Sequence, residues 1–262
     1  MITAVDQSIE ELCGGSQWFV EDIGKLATLA AIAMVGRARQ AGSILDGAEQ
    51  GSVTASAALK ARLKSTLILD DEADPWHRDG LLFETICWLV ARTDVTSDEV
   101  ISDPHRRATQ QGADTVKVVF NPATRELEYV TVYEQKCSSN PREKFRDEVM
   151  PAFEDWITGS RDDELLQIAI GLLDRYALTD TESRRAYTRI ALSPRPLAFR
   201  AALTVSPGAF ASADCERVFK GYDKLAVEVE ARFGDTFPLD DMRGWFKAFA
   251  GLVWAEIEQF DV

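Results

Sequence analysis

Two stretches in the middle of the chain set the strongest constraint on its fold. "DTVKVVF" (114–120) and "YVTVYEQK" (129–136) alternate β-branched and aromatic residues, and "NPATRE" between them is turn chemistry opened by Asn-Pro. Together they predict a β-hairpin of about 127–137 against 114–120. Successive side chains of a strand point to opposite faces. Val130, Val132, Glu134 and Lys136 therefore share one face, and Tyr129, Thr131, Tyr133 and Gln135 the other. In the first strand, Asp114, Val116, Val118 and Phe120 share a face. A valine face turns inward, so each strand carries charge at the end of its buried side. Antiparallel pairing brings Asp114, at the start of one strand, to the same end as Glu134 and Lys136, at the end of the other. Unpaired buried charge is costly, and such groups pair, bind metal or change protonation state. Alone, Glu134 and Lys136 would read as a salt bridge at a strand end. With Asp114 beside them, they read as a site.

The rest of the chain supplies mostly helices. "LLFETICWLVAR" (81–92) is apolar all round and predicts a buried helix. Glu84 lies within it, either as a further acid for the hairpin's charged end or as a solvated side chain. Helices are also predicted over 17–41, 54–64, 162–177, about 214–233 and 239–260. Another spans 140–157, with Asn140 as N-cap, Pro141 at the first position and a break or kink at Pro151. "STLILD" and 195–208 read as strands, and 70–80 as an acidic surface connection. Strands cluster in the middle and helices flank them, which predicts a mixed α/β fold with a small central sheet. The 262 residues read as one domain. Its core is about 80–157, with helical parts at about 1–70 and 209–262.

Composition removes several function classes. Four cysteines without CxxC spacing argue against disulfides and zinc, and two histidines exclude a His-rich metal site. The most apolar stretch, 23–35, is too short to span a bilayer, and "MITAVDQSIEEL" has no signal-peptide pattern, so a cytoplasmic location is expected. The net charge of -14 is the reverse of what a stand-alone nucleic-acid binder carries. Contact with nucleic acid would need a local basic patch or a basic partner.

Two carboxylates held close repel unless a proton or a cation sits between them. A hard divalent ion, Mg²⁺ or Mn²⁺, suits oxygen ligands. A lysine alongside can orient or deprotonate a water, or neutralise an oxyanion, which is the equipment of metal-assisted phosphodiester hydrolysis. His105, Arg106 and Arg107 lie just upstream of Asp114, as phosphate contacts or as a solvated loop. Ser138 and Arg142 stand at the start of the helix after Lys136, either facing a phosphate or serving ordinary capping and pairing.

"GLLFE" (80–84), "GAD" (112–114) and "EQK" (134–136) together resemble the PD-(D/E)XK nuclease superfamily, with Ala113 where that motif has proline. The resemblance implies an αβββαβ core. It implies metal bound by Asp114, Glu134 and the main-chain carbonyl of Gln135, with Glu84 as an accessory ligand and Lys136 handling the attacking water. Length, flanking helices and the lack of a recognition domain are similar, more narrowly, to the HamA family, the nuclease subunits of Hachiman antiphage systems. That likeness implies nonspecific cutting of DNA, Mg²⁺ or Mn²⁺ as cofactor, and a heterodimer with an ATP-driven helicase. The competing reading is a non-catalytic acidic immunity protein or DNA mimic. Such a protein would have no use for Lys136.

Overall fold

The computed structural model describes residues 1–70, 73–105, 112–176, 178–192, 196–207 and 212–262. Its strands are β1 (Ile2–Ile9), β2 (Cys13–Val20), β3 (Glu99–Ile101), β4 (Thr115–Phe120), β5 (Leu127–Lys136), β6 (Leu197–Val205) and β7 (Arg232–Pro238). They form one mixed sheet in the order β1-β2-β7-β6-β5-β4-β3. The expected hairpin is β4–β5, antiparallel, with Val116 opposite Val132 and Val118 opposite Val130. β6 runs parallel to β5, and β7 parallel to both β6 and β2. The sheet has seven strands and is not the small one expected.

The helices are α1 (Ile23–Met34), α2 (Ala38–Leu45), α3 (Ala57–Leu67), α4 (Trp76–Thr93), α5 (Pro141–Lys144), α6 (Met150–Thr158), α7 (Asp162–Leu173), α8 (Asp180–Ala191), α9 (Ser212–Phe219) and α10 (Met242–Gln259). One π-helical stretch, Phe145–Val149, joins α5 to α6. Helices α1 to α4 and α10 cover one face of the sheet, where Leu26, Phe83, Phe237, Phe246 and Phe249 form a core. Helices α6 to α9 cover the other, packing Phe153, Trp156, Leu165 and Ile190 on Val116, Val130, Val132 and Phe199. The valine face of the hairpin is thus buried, as its alternation requires. From α4 onward the elements run α, β, β, β, α, and β6 follows after α7 and α8.

Several sequence expectations are corrected. The 17–41 helix is really the end of β2, then α1 and α2; Asp22 caps α1 by accepting a hydrogen bond from the Lys25 amide. The parts at 1–70 and 209–262 are not wholly helical, since they contain β1, β2 and β7. Residues 65–67 end α3 and do not begin a strand. Residues 76–80 open α4, with Arg78 and Asp79 buried as an ion pair. α7 ends at Leu173, and α8 was not expected. α9 ends at Phe219, where a helix to 233 was expected. Pro151 directly follows the π-helical stretch inside a helical run that continues from Pro141 to Thr158, so the chain is not broken there. Asn140 makes no side-chain cap.

The chemistry of β2 and β7 hid them. Asp235 of β7 is 1% exposed, and its charge is met by Arg200 of β6, by the Ser16 amide at 2.9 Å and by the Ser16 hydroxyl at 3.0 Å. Gly15 has φ +148°, and a Cβ there would stand 2.0 Å from the carbonyl oxygen of Gly234. Close approach of β2 and β7 therefore requires glycine at 15. Among the described residues, no helix is long and apolar enough to cross a membrane.

Candidate active site

The hairpin delivers its charges where alternation predicts. Thr115 pairs with Tyr133, so Asp114 and Glu134 follow at the same end of the two strands. The Gln135 backbone N–H donates to Asp114 Oδ2 at 2.7 Å, fixing the carboxylate against β5. Glu134 is 5% exposed. Its Oε2 accepts from Lys136 Nζ at 3.3 Å, and its Oε1 lies 3.7 Å from Arg161 Nη1.

The third contribution comes from α4. Glu84 Oε2 is buried and accepts no hydrogen bond; the His105 imidazole is beside it, with Nδ1 3.5 Å away. Glu84, His105 and Asp114 each offer one ligand atom, and these atoms lie within 4.8 Å of one another. Glu134 is outside this group of three and is occupied by Lys136 and Arg161.

The electrostatics follow from crowding negative charge in a dry place. Burial pushes the Asp114 carboxyl well above the usual range, and Glu134 and then Glu84 push it further; Lys136 and the Gln135 amide oppose them. Burial also raises Glu134, against the pull of Lys136 and Arg161. For Lys136, burial alone would lower the pKa. Asp114 and Glu134 outweigh it, so the ammonium is held charged above its ordinary value. Three carboxylates, with Lys136 and Arg161 both drawn to Glu134, leave Asp114 and Glu84 as a pair of acids that favours a cation.

A bracket outside the hairpin holds this arrangement. Glu164 Oε1 accepts the Ala113 amide at 2.8 Å, and Arg161 clasps the same carboxylate with two hydrogen bonds of 2.9 Å. The Arg161 guanidinium stacks on Trp156, 4.0 Å from the ring centre. Gly112 has φ +128°, and a Cβ there would stand 3.0 Å from Glu164 Oε1. Glycine in "GAD" thus lets the chain enter β4 beneath the glutamate.

Of the residues expected from sequence, Glu84, Asp114, Glu134 and Lys136 are brought to one place. The Gln135 side chain points away, its Nε2 3.4 Å from Thr115 Oγ1, and only its main chain belongs to the site. His105, expected as a phosphate contact, sits among the acids. The Ser138 hydroxyl accepts from the Asn140 amide at 3.0 Å, within a turn tied to β6 through Thr204. Arg142 donates to the carbonyls of Val218 and Lys220, pinning α5 to the end of α9. Both side chains are engaged inside the fold. Arg106 and Arg107 lie outside the described residues. Sequence reasoning missed Arg161 and Glu164, which look like an ordinary i,i+3 pair on a helix start.

Comparison with protein-family models finds no match, and comparison with curated proteins finds none either.

Proposed function

We propose that this chain is a metal-dependent nuclease of the PD-(D/E)XK kind, cutting DNA without sequence preference. The carrying observation is the convergence of Glu84, His105 and Asp114 within 4.8 Å, beside Glu134 and Lys136 on the adjoining strand. The donor set fits a divalent cation. Its carboxylate oxygens suit Mg²⁺ or Mn²⁺, the imidazole adds affinity for transition metals, and the buried Glu84 Oε2 has no hydrogen-bond partner. Glu84, Asp114 and His105 would hold the ion, with Glu134 at hand from β5. When bound, such an ion polarises a phosphoryl oxygen and acidifies a water ligand.

The chain's own residues do the positioning. The Gln135 amide fixes Asp114, and Arg161 and Lys136 hold Glu134 in place. The Lys136 ammonium, partly exposed, can donate to a phosphate oxygen or to the attacking water, and so offsets negative charge on the phosphoryl oxygens. A DNA mimic would present its acids to solvent. Glu134, buried behind a lysine, supports the enzyme over that reading.

The biological setting we propose is antiphage defence in the cytoplasm, with a helicase partner, as the HamA likeness implies. The net charge of -14 supports a partner that captures DNA, because long-range repulsion opposes encounter with a polyanion. Coexpression with such a helicase should give a heterodimer on size exclusion. Separate elution, with the chain alone as active as the pair, would remove the partner from the proposal. The activity itself is tested by incubating purified chain with labelled DNA in Mg²⁺, Mn²⁺ or EDTA. Cutting is expected only with metal, and not by Glu134→Ala; full cutting in EDTA would refute it.

A further inference from the structure

A second feature lies at the opposite end of the hairpin. The β4–β5 turn, α8 and the start of β6 enclose an open cleft of about 940 Å³. It is far from the acid group: β5 runs from Leu127, in the cleft, to Lys136, about 30 Å at the rise of an extended strand.

The cleft's charge is opposite to that of the chain. Four arginines and two glutamates line it, in a protein of net charge -14. One of those arginines and one glutamate cancel: Arg125 pairs with Glu182 at 3.1 Å, and Glu182 also closes the capping box of α8. Arg184, Arg185 and Arg189 are exposed and, among the described residues, meet no carboxylate at ion-pair distance. Three uncommitted guanidinia on one helix repel one another, and of the three only Arg189, in the last turn of α8, complements the helix dipole.

The remaining lining is apolar. Leu127 is buried at the floor, Pro196 is half-buried, and Leu192 is 61% exposed. An exposed leucine beside three free guanidinia makes a surface with two chemistries. Apolar contact suits a flat ring, and the guanidinia suit phosphate oxygens, which they bind bidentately. The volume is that of a small-ligand site.

We propose that this cleft binds a nucleotide unit, its phosphates on Arg184, Arg185 and Arg189 and its base against Leu192 and Pro196. The unit is either a free nucleotide or one segment of a nucleic-acid strand. The proposal does not depend on the nuclease reading, since it uses none of the same residues.

The test is fluorescence anisotropy with the full chain in EDTA, so that no metal site contributes. The probes are a fluorescent ATP analogue and a short labelled oligothymidylate. Saturable binding of at least one probe is expected, weakened about tenfold or more in Arg184→Ala/Arg185→Ala/Arg189→Ala, which replaces only exposed side chains. Leu192→Ser should weaken binding as well, and Glu134→Ala should leave it unchanged. Binding of the ATP analogue as tight as that of the strand, or tighter, identifies a free-nucleotide site. Much tighter binding of the strand, with a salt slope reduced by about 0.7 per lost contact, identifies a strand-binding surface. No saturable binding of either probe, or binding that survives the triple substitution, overturns the proposal.

Discussion

The carboxylate of Asp114 is held by the backbone N–H of Gln135 at 2.7 Å, so the first acid of the site is anchored by the strand that carries the second. This contact and the Lys136 ammonium hold together a group that burial and two other acids push toward protonation.

Asp114→Asn follows directly. Asparagine can still accept from the Gln135 amide but brings no charge into the acid group. The folded-state pKa of Asp114 is raised, so the folded chain binds this proton more tightly than the unfolded one. The stability this gives is full below the unfolded carboxylate value and is lost as pH rises through the folded one. At pH 8, Asp114→Asn should therefore melt above the native chain by about 2–4 °C for each kcal/mol relieved. The gap should shrink steadily as the pH is lowered toward 5. Differential scanning fluorimetry across that range checks it; a gap that widens on acidification has the wrong sign.

Lys136→Ala should act in the other direction. It removes the cation nearest both Asp114 and Glu134. The chain should still fold but lose about 1–3 kcal/mol, the penalty for leaving a buried charged group without its partner. DNA cutting should fall by about 10²–10⁴, as for loss of a group acting on the proton or the phosphate in the transition state. Chemical denaturation with a gel-based cutting assay measures both. Unchanged cutting would take Lys136 out of the chemistry.

Arg161 and Glu164 should behave as one unit. Arg161 touches Glu134, Glu164 and Trp156, while Glu164 holds the Ala113 amide. Arg161→Ala and Glu164→Ala should each cost about 1–3 kcal/mol, and the double variant should cost less than the sum. Additive losses in a double-mutant cycle would mean that the bracket is two independent contacts.

How much was legible in the sequence depended on whether the signal was local. The hairpin's faces, and with them Asp114, Glu134 and Lys136, came from alternation, which burial enforces residue by residue. β2 and β7 gave no such signal. β2 contains Gly14 and Gly15, and β7 hides Asp235 against Arg200, so neither looks like a buried strand until β7 lies between β2 and β6. The Arg161–Glu164 bracket was equally silent. Its spacing is that of any helix start, and only the fold brings it to Ala113. His105 was noticed for its position, yet its role among the acids depends on Glu84 of α4, twenty-one residues upstream.

Manganese binding tests the metal site most directly. Mn²⁺ titrated into the purified chain, followed by electron paramagnetic resonance, reports the free ion without any substrate or partner. The native chain should take up the ion saturably. Asp114→Asn and Glu84→Gln should each weaken uptake about tenfold or more, within the range seen when groups that hold or orient metal ligands are changed. The same Mn²⁺ should raise the melting temperature of the native chain by mass action and leave that of Asp114→Asn nearly unmoved. Uptake that is equal in all three proteins, or absent from the native chain, would contradict a cation held by Glu84 and Asp114.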